Sequence, residues 1–230
     1  MHLIWLCTTL VLGLILVFMP GIAPAADGFE PIFDGSSLEG WHGKPPFWSV
    51  RDGTITGQTT AADPTDRNTF LIFREPMSDF ELRLQVRILS GNSGIQFRSI
   101  DMGDFTIHGY QTDIDSTEKY LGDLYEEGGR GILAKGGQKV EIGEDGRKIV
   151  LGKVTDPHLI AVAVHWHDWN DYRLVVQGRH ILQEINGLTT VDFLDNDPIK
   201  FRSSGLIALQ LHAGPPMLVQ FKNLRLKKIP

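Results

Sequence analysis

Residues 109–115 read GYQTDID and residues 122–133 read GDLYEEGGRGIL. Together they hold five carboxylates, Asp113, Asp115, Asp123, Glu126 and Glu127, beside Tyr110, Tyr125, Gln111 and Arg130. Carboxylates in such density can move protons, ligate a hard cation, or accept hydrogen bonds from sugar hydroxyls. Amide and guanidinium groups add the directed, often bidentate hydrogen bonds that polyhydroxylated ligands require.

The spacing narrows these options. Retaining glycosidases hold two carboxyls about 5–5.5 Å apart, which alternate residues of one strand can supply. Asp113, Asp115 and Glu118 in DIDSTE approach that pattern, but Asp stands where a nucleophilic Glu is expected and no tryptophan flanks it. Asp101, Asp104, Asp113, Asp115 and Asp123 are oxygen ligands of the type calcium takes, yet no calcium-loop spacing organises them. A divalent cation such as calcium therefore stays an open cofactor candidate, with no ligand set assigned. His165 and His167 in H-W-H would share one face of a strand as a zinc pair lacking a third ligand. G-x-S-x-G, phosphate loops and dinucleotide fingerprints are absent.

The elements that must position these groups are strands. In ELRLQVRIL (81–89), Leu82, Leu84, Val86 and Ile88 alternate with Glu81, Arg83, Gln85 and Arg87. SGIQFRS (93–99), LIAVAVHW (159–166), DYRLVVQG (171–178) and GLIALQLHAG (205–214) read as further strands, separated by Gly, Asn and Asp turns. The only helix-like stretch is a short turn near 116–126. Many short strands with regular turns predict an all-β sandwich in which each sheet buries one face.

Alternation then assigns faces. Gln96 and Arg98 are expected together; Gln111, Asp113 and Asp115 lie opposite Tyr110, Thr112 and Ile114; Gln210 and His212 lie opposite Ile207, Leu209 and Leu211. Three strands thus each offer long polar side chains to an outer face suited to a sugar. Tyr110, Tyr125 and the loop residue Trp41 in SLEGWHGKPPFW add stacking surfaces, whereas Trp48 and Trp166 read as core.

The N-terminus reads MHLIWLCTTLVLGLILVFMPGIAPAADGF: an apolar run from Leu3 to Met19, a Pro-Gly break, then an A-x-A cleavage pattern. Residues 1–25 are expected to be a signal peptide, or an uncleaved anchor, and residues 26–230 a single exported domain, periplasmic or secreted. The leader carries none of the Asp, Glu, Lys or Arg, so the mature chain keeps the net charge of −6. A mildly acidic domain is a poor nucleic-acid or anionic-membrane binder. The one cysteine, Cys7, leaves with the leader, so an apolar core must hold the fold without disulfides.

FEPIFDGSSLEGWHG, GNSGIQFRS, GYQTDID with GDLYEEGGRGIL, DWNDYRLVVQGRHILQEING and GLIALQLHAGPPMLVQFKNLRLKKI occur in that order. This ordered set, covering nearly all of 29–229, resembles the 3-keto-disaccharide hydrolase domain family in the form common in planctomycete-type bacteria. The resemblance implies a concanavalin A-like jelly roll of two antiparallel sheets. It also implies an enzyme that cleaves 3-keto-glycosides: a C3 ketone acidifies the C2 proton, a base removes it, and the C1 substituent leaves before water adds. On that reading Asp113 is the base, Arg98 the enolate partner and His212 the proton donor. Gln96, Gln111 and Glu126 position hydroxyls, with Tyr110, Tyr125, Gln210 and Trp41 as substrate contacts. Relatives with a Glu-Val-Gln type sequence at 111–113 leave open whether Gln111 or Asp113 is the functional residue. The alternatives are a non-catalytic carbohydrate-binding module of the same fold, which needs no proton-transfer group, and a structural role in the envelope.

Overall fold

The computed structural model describes residues 27–230. The expected leader, with Cys7, lies outside the described residues. Short strands β1 (Glu30–Pro31) and β2 (Trp41–His42) lead into β3 (Trp48–Arg51), β4 (Thr54–Gln58) and β5 (Thr69–Phe73). Next come the long β6 (Phe80–Ser90), β7 (Asn92–Gly103) and β8 (Thr106–Asp115), then β9 (Leu124–Glu127), β10 (Gly131–Ala134), β11 (Gln138–Ile142) and β12 (Lys148–Lys153). Helix α1 (Pro157–Ala163) precedes β13 (Asn170–Gln177), β14 (His180–Ile185), β15 (Leu188–Asp195), β16 (Leu206–Leu211) and β17 (Leu218–Lys228).

These strands form two sheets. One runs β12-β11-β15-β14-β13-β6-β17-β4-β3, with β1 added on β17; the other runs β10-β9-β8-β7-β16-β5-β2. Pairing is antiparallel except for β11 with β15, which is parallel. The expected pair of antiparallel sheets therefore carries one parallel joint, made possible by the long crossover through β12, α1, β13 and β14. Between the sheets lies a continuous apolar core that includes Leu82, Leu84, Val86, Phe97, Ile114, Leu124, Phe193, Leu209 and Phe221. Burial of this size supplies the driving force expected of a domain without disulfides. The β14–β15 hairpin turns on Asn186 and Gly187, both at positive φ, as a two-residue loop of matching twist demands.

The segment 159–166, expected as a strand, is instead mostly the helix α1 and the turn after it. Asp156 caps it by accepting from His158 N, and Pro157 at the first helical position starts it with φ already set. Only Ile160 of its residues is buried, so its β-branched run had no sheet to join. Conversely, no helix forms at 116–126; that segment is turn followed by β9.

The seven-stranded sheet is unusual on its outer face. Phe70, Ile72, Ile107 and Ala208 cluster there with Leu206, apart from the main core. Phe70 pairs with Gln210 and Ile72 with Ala208, so these apolar residues share the face of Gln210. Ile107 likewise shares the parity of Gln111 and Asp113 along β8. One end of the outer face is thus apolar and the other polar.

Candidate functional site

The polar end is a chain of side-chain amides. Gln96 sits opposite Gln111 across β7–β8, and its Nε2 donates to Gln111 Oε1 at 2.9 Å. Gln111 Nε2 donates to Asp113 Oδ1 at 2.7 Å and, at 3.4 Å, to Gln210 Oε1. Gln210 Nε2 reaches Glu127 Oε2 at 3.2 Å, and Asn68 Nδ2 reaches Glu127 Oε1 at 3.3 Å. Four strands therefore deliver one connected network. Gly94, opposite Asp113, makes room for it: a Cβ there would lie 2.3 Å from the Gln111 amide carbon.

Asp113 is the chemically distinctive member. It is 5% exposed. Burial pushes its carboxyl up to about 8, against the pull of the Gln111 hydrogen bond and with help from the charges of Asp123, Glu127 and Asp115. A carboxyl poised near neutrality can take or give a proton under ordinary conditions.

Tyr125 and Glu127 bear on it electrostatically, whereas His212 stands apart at the end of β16. Tyr125 lies directly across from Gln111. Burial raises its phenol, followed by the charges of Glu127, Asp113 and Tyr120, so it remains an O–H donor. His212 is exposed, two residues beyond Gln210. Its Nδ1 lies 2.5 Å from Ala213 O; a carbonyl only accepts, so Nδ1 is the donor of that contact and Nε2 is left free of it. A cavity of about 610 Å³ lies elsewhere, along Glu30–Asp34, Glu39 and Lys228. It is lined by no member of this network.

A family model for the 3-keto-alpha-glucoside-1,2-lyase-like domain matches residues 28–227, nearly the whole described chain. The chain belongs to this lyase-like domain family. A 3-keto-disaccharide hydrolase of Bacteroides thetaiotaomicron is 35% identical over 82 residues, which is 30% of this chain. That match spans only 27% of the Bacteroides protein. Among solved structures, a candidate glycosyl hydrolase of Parabacteroides distasonis superposes with a TM-score of 0.59 at 20% identity, covering 87% of this chain and 99% of that one. The carbohydrate-binding module CBM66 of Bacillus subtilis gives 0.55 at 15% identity, over 82% and 96%. A β-glucanase of Bacillus licheniformis gives 0.51 at 12%, over 87% and 97%. At such identities these structures share a fold with the lyase-like domain, the jelly roll the sequence resemblance implied.

Within this member of the lyase-like family, Gln96, Gln111, Asp113 and Gln210 come together as the alternation required. Arg98 does not join them. A register shift follows Phe97 and Arg98 takes a φ of +45°, so its side chain leaves the alternation. Its guanidinium is fully buried and spent on Ser78 O, Gly178 O, Arg202 O and Asp79 Oδ1. Arg98 is a cross-link between turns at the end of the sandwich.

Three expected substrate contacts also fall elsewhere. Tyr110 packs in the core, stacked on Phe97 at 5.5 Å, with its hydroxyl donating to Asp195 Oδ2 at 2.6 Å. Glu126 pairs with Tyr110 across β8–β9 and shares its inner face. There it accepts from Arg130 Nε at 2.5 Å, while Arg130 also binds Asp195. Trp41 is buried against Phe73 and donates from Nε1 to Ile32 O at 2.7 Å. Glu127, which the sequence reading passed over for its neighbour, is the glutamate on the outer face. Its parity follows from the β8–β9 register, which no local pattern in LYEEGGRG discloses.

The aspartates considered for calcium are dispersed. Asp101 caps the Gly103 amide, Asp104 pairs with Arg67, and Asp115 accepts from Thr117 N and Oγ1. Asp123 is held by Lys135 Nζ and Gly136 N, both at 2.8 Å. Among the described residues no three His, Asp or Glu side chains converge as a ligand set. His165 and His167 lie in the turn after α1, not on a strand, and His165 Nδ1 contacts Trp169 O.

Proposed function

We propose that the protein is a carbohydrate-active enzyme that cleaves the glycosidic bond of 3-keto-glycosides by 1,2-elimination, with hydration giving net hydrolysis. One observation carries this reading: a buried carboxyl, Asp113, raised to about 8 and oriented by an amide on a polar sheet face. The family membership and the name of the Bacteroides relative support the substrate class. Asp113 as carboxylate takes the C2 proton, and the C2–H electrons move toward the C3 carbonyl, whose oxygen becomes enolate. Tyr125, across from Gln111, is the donor to that oxygen on this reading, in place of Arg98. Collapse of the enolate forms the C1–C2 double bond and expels the C1 oxygen, with His212 as its proton donor. Addition of water at C1 of the resulting enone completes hydrolysis. A carboxyl raised to about 8 is a stronger base than an ordinary carboxylate, matched to proton abstraction near neutral pH.

The test uses residues 26–230 with a 3-keto-glucoside, the same substrate deuterated at C2, and the unoxidised parent. Release of aglycone from the keto form only, slowed by deuterium and abolished in Asp113→Asn, is expected. Saturable sugar binding without release from any of them would make the protein a binding module instead. The leader-like residues 1–25 support export, and N-terminal sequencing of the protein recovered from its host checks where the mature chain begins.

A further inference from the structure

The amide network does not end at Gln96. Ser99, 2% exposed, places its Oγ 2.6 Å from Gln96 Oε1 and 3.0 Å from Phe97 O. Each link beyond it points the same way: Gln96 Nε2 to Gln111 Oε1, then Gln111 Nε2 to Asp113 and to Gln210, then Gln210 Nε2 to Glu127. A primary amide has an acceptor end and a donor end, and turning one of these three turns its neighbours or sets carbonyl against carbonyl. We propose that Ser99 is a positioning residue, its hydroxyl holding the amides of Gln96, Gln111 and Gln210 so that N–H groups face Asp113 and Glu127. Ser99 touches neither carboxylate and acts through three side chains.

The surroundings are shaped for this contact. Ser99 lies with Arg98 inside the register shift between Phe97 and Ile100, and there its hydroxyl meets Gln96. Gly109 on β8 leaves the space it needs: a Cβ at 109 would lie 2.3 Å from Ser99 Oγ. The charged and titratable groups that also bear on Asp113 are Asp115 on its own strand, Asp123, Tyr125 and Glu127 from β9 and its approach, and Tyr172 from the opposite sheet. Lys135 pairs with Asp123. None of these touches Ser99, so a change at Ser99 reaches Asp113 through the amides.

The proposal rests on Asp113 as the working carboxyl but not on turnover, so it is read by carboxyl-carbon NMR titration of Asp113. Losing one net hydrogen bond, about 0.5–1.5 kcal/mol, is worth about half to one pH unit. Ser99→Ala should move the Asp113 midpoint upward by up to that amount and Gln96→Leu by more, in proteins that still melt cooperatively. Should Ser99→Ala fail to fold, Ser99→Cys, which keeps the side-chain volume and replaces the hydroxyl with a weak donor, should shift the midpoint upward in the same sense. A folded Ser99→Ala or Ser99→Cys with an unmoved midpoint overturns the proposal. An upward shift in a protein that never turns over 3-keto-glycosides leaves the positioning role intact and removes only the enzyme reading.

Discussion

The two outer sheet faces look alike in sequence and differ in kind. On the ten-stranded sheet, Arg173 bridges Glu81 at 2.6 Å and Glu184 at 3.0 Å, and Gln85 binds Asp171 at 2.9 Å. Arg87 meets Gln220 in the same open style, and Arg83 is 48% exposed at its side chain. Water screens such pairs, and each contributes little. On the seven-stranded sheet the corresponding positions hold Gln96, Gln111, Gln210 and Asp113, all nearly sealed from solvent. There the same alternation yields directed hydrogen bonds in a low dielectric and a carboxyl raised by burial. A polar sheet face becomes a site when something covers it.

The sharpest way to break this contrast is Asp113→Asn. Replacing the proposed base should lower kcat/KM on 3-keto-glycosides by about 10²–10⁴-fold, whereas Glu81→Gln on the other face should leave it within twofold. Unchanged turnover in Asp113→Asn would return that face to the status of solvated surface.

Stability against pH gives the next largest effect. The folded midpoint of Asp113, about 8, lies above its ordinary value of 3.8, so the folded state binds the proton more tightly. Its contribution is fully present below about pH 4 and is lost as pH rises through about 8. Asp113→Asn should therefore gain stability relative to the parent between pH 5 and pH 9, by a few kcal/mol, measured as the difference in melting temperature at the two pH values. A pH-independent difference would mean that Asp113 is not buried as described.

Gln111→Leu comes third. It strands the Gln96 amide and removes the donor to Asp113, so a loss of about 1–3 kcal/mol is expected in denaturant unfolding. The smallest change belongs to the open face. Arg173→Ala should cost about 0–1 kcal/mol and less at high salt. A loss from Arg173→Ala as large as that from Gln111→Leu would erase the distinction between the faces.

Much of this was legible beforehand, for particular reasons. Alternation in 81–89 and 205–211 survives because both strands are long, regular and buried on one face. The split of β8 into Tyr110 and Ile114 against Gln111 and Asp113 held for the same reason. Arg98 was misplaced because a shift in register breaks period two without any glycine or proline to announce it. LIAVAVHW misled because β-branched residues say strand, while Asp156 and Pro157 immediately before them start a helix. Trp41 looked exposed among glycines and prolines, but its ring found Phe73.

The sequence by itself determined the fold class, the family and the polar side chains of β8 and β16, because strand period and residue type are local properties. Only the tertiary structure decided that Glu127 and not Glu126 faces the site, that Arg98 and Tyr110 are structural, and that Asp113 is buried enough to titrate near neutrality. Those outcomes depend on strand register and on burial by distant segments, and both arise only when the sheets are assembled.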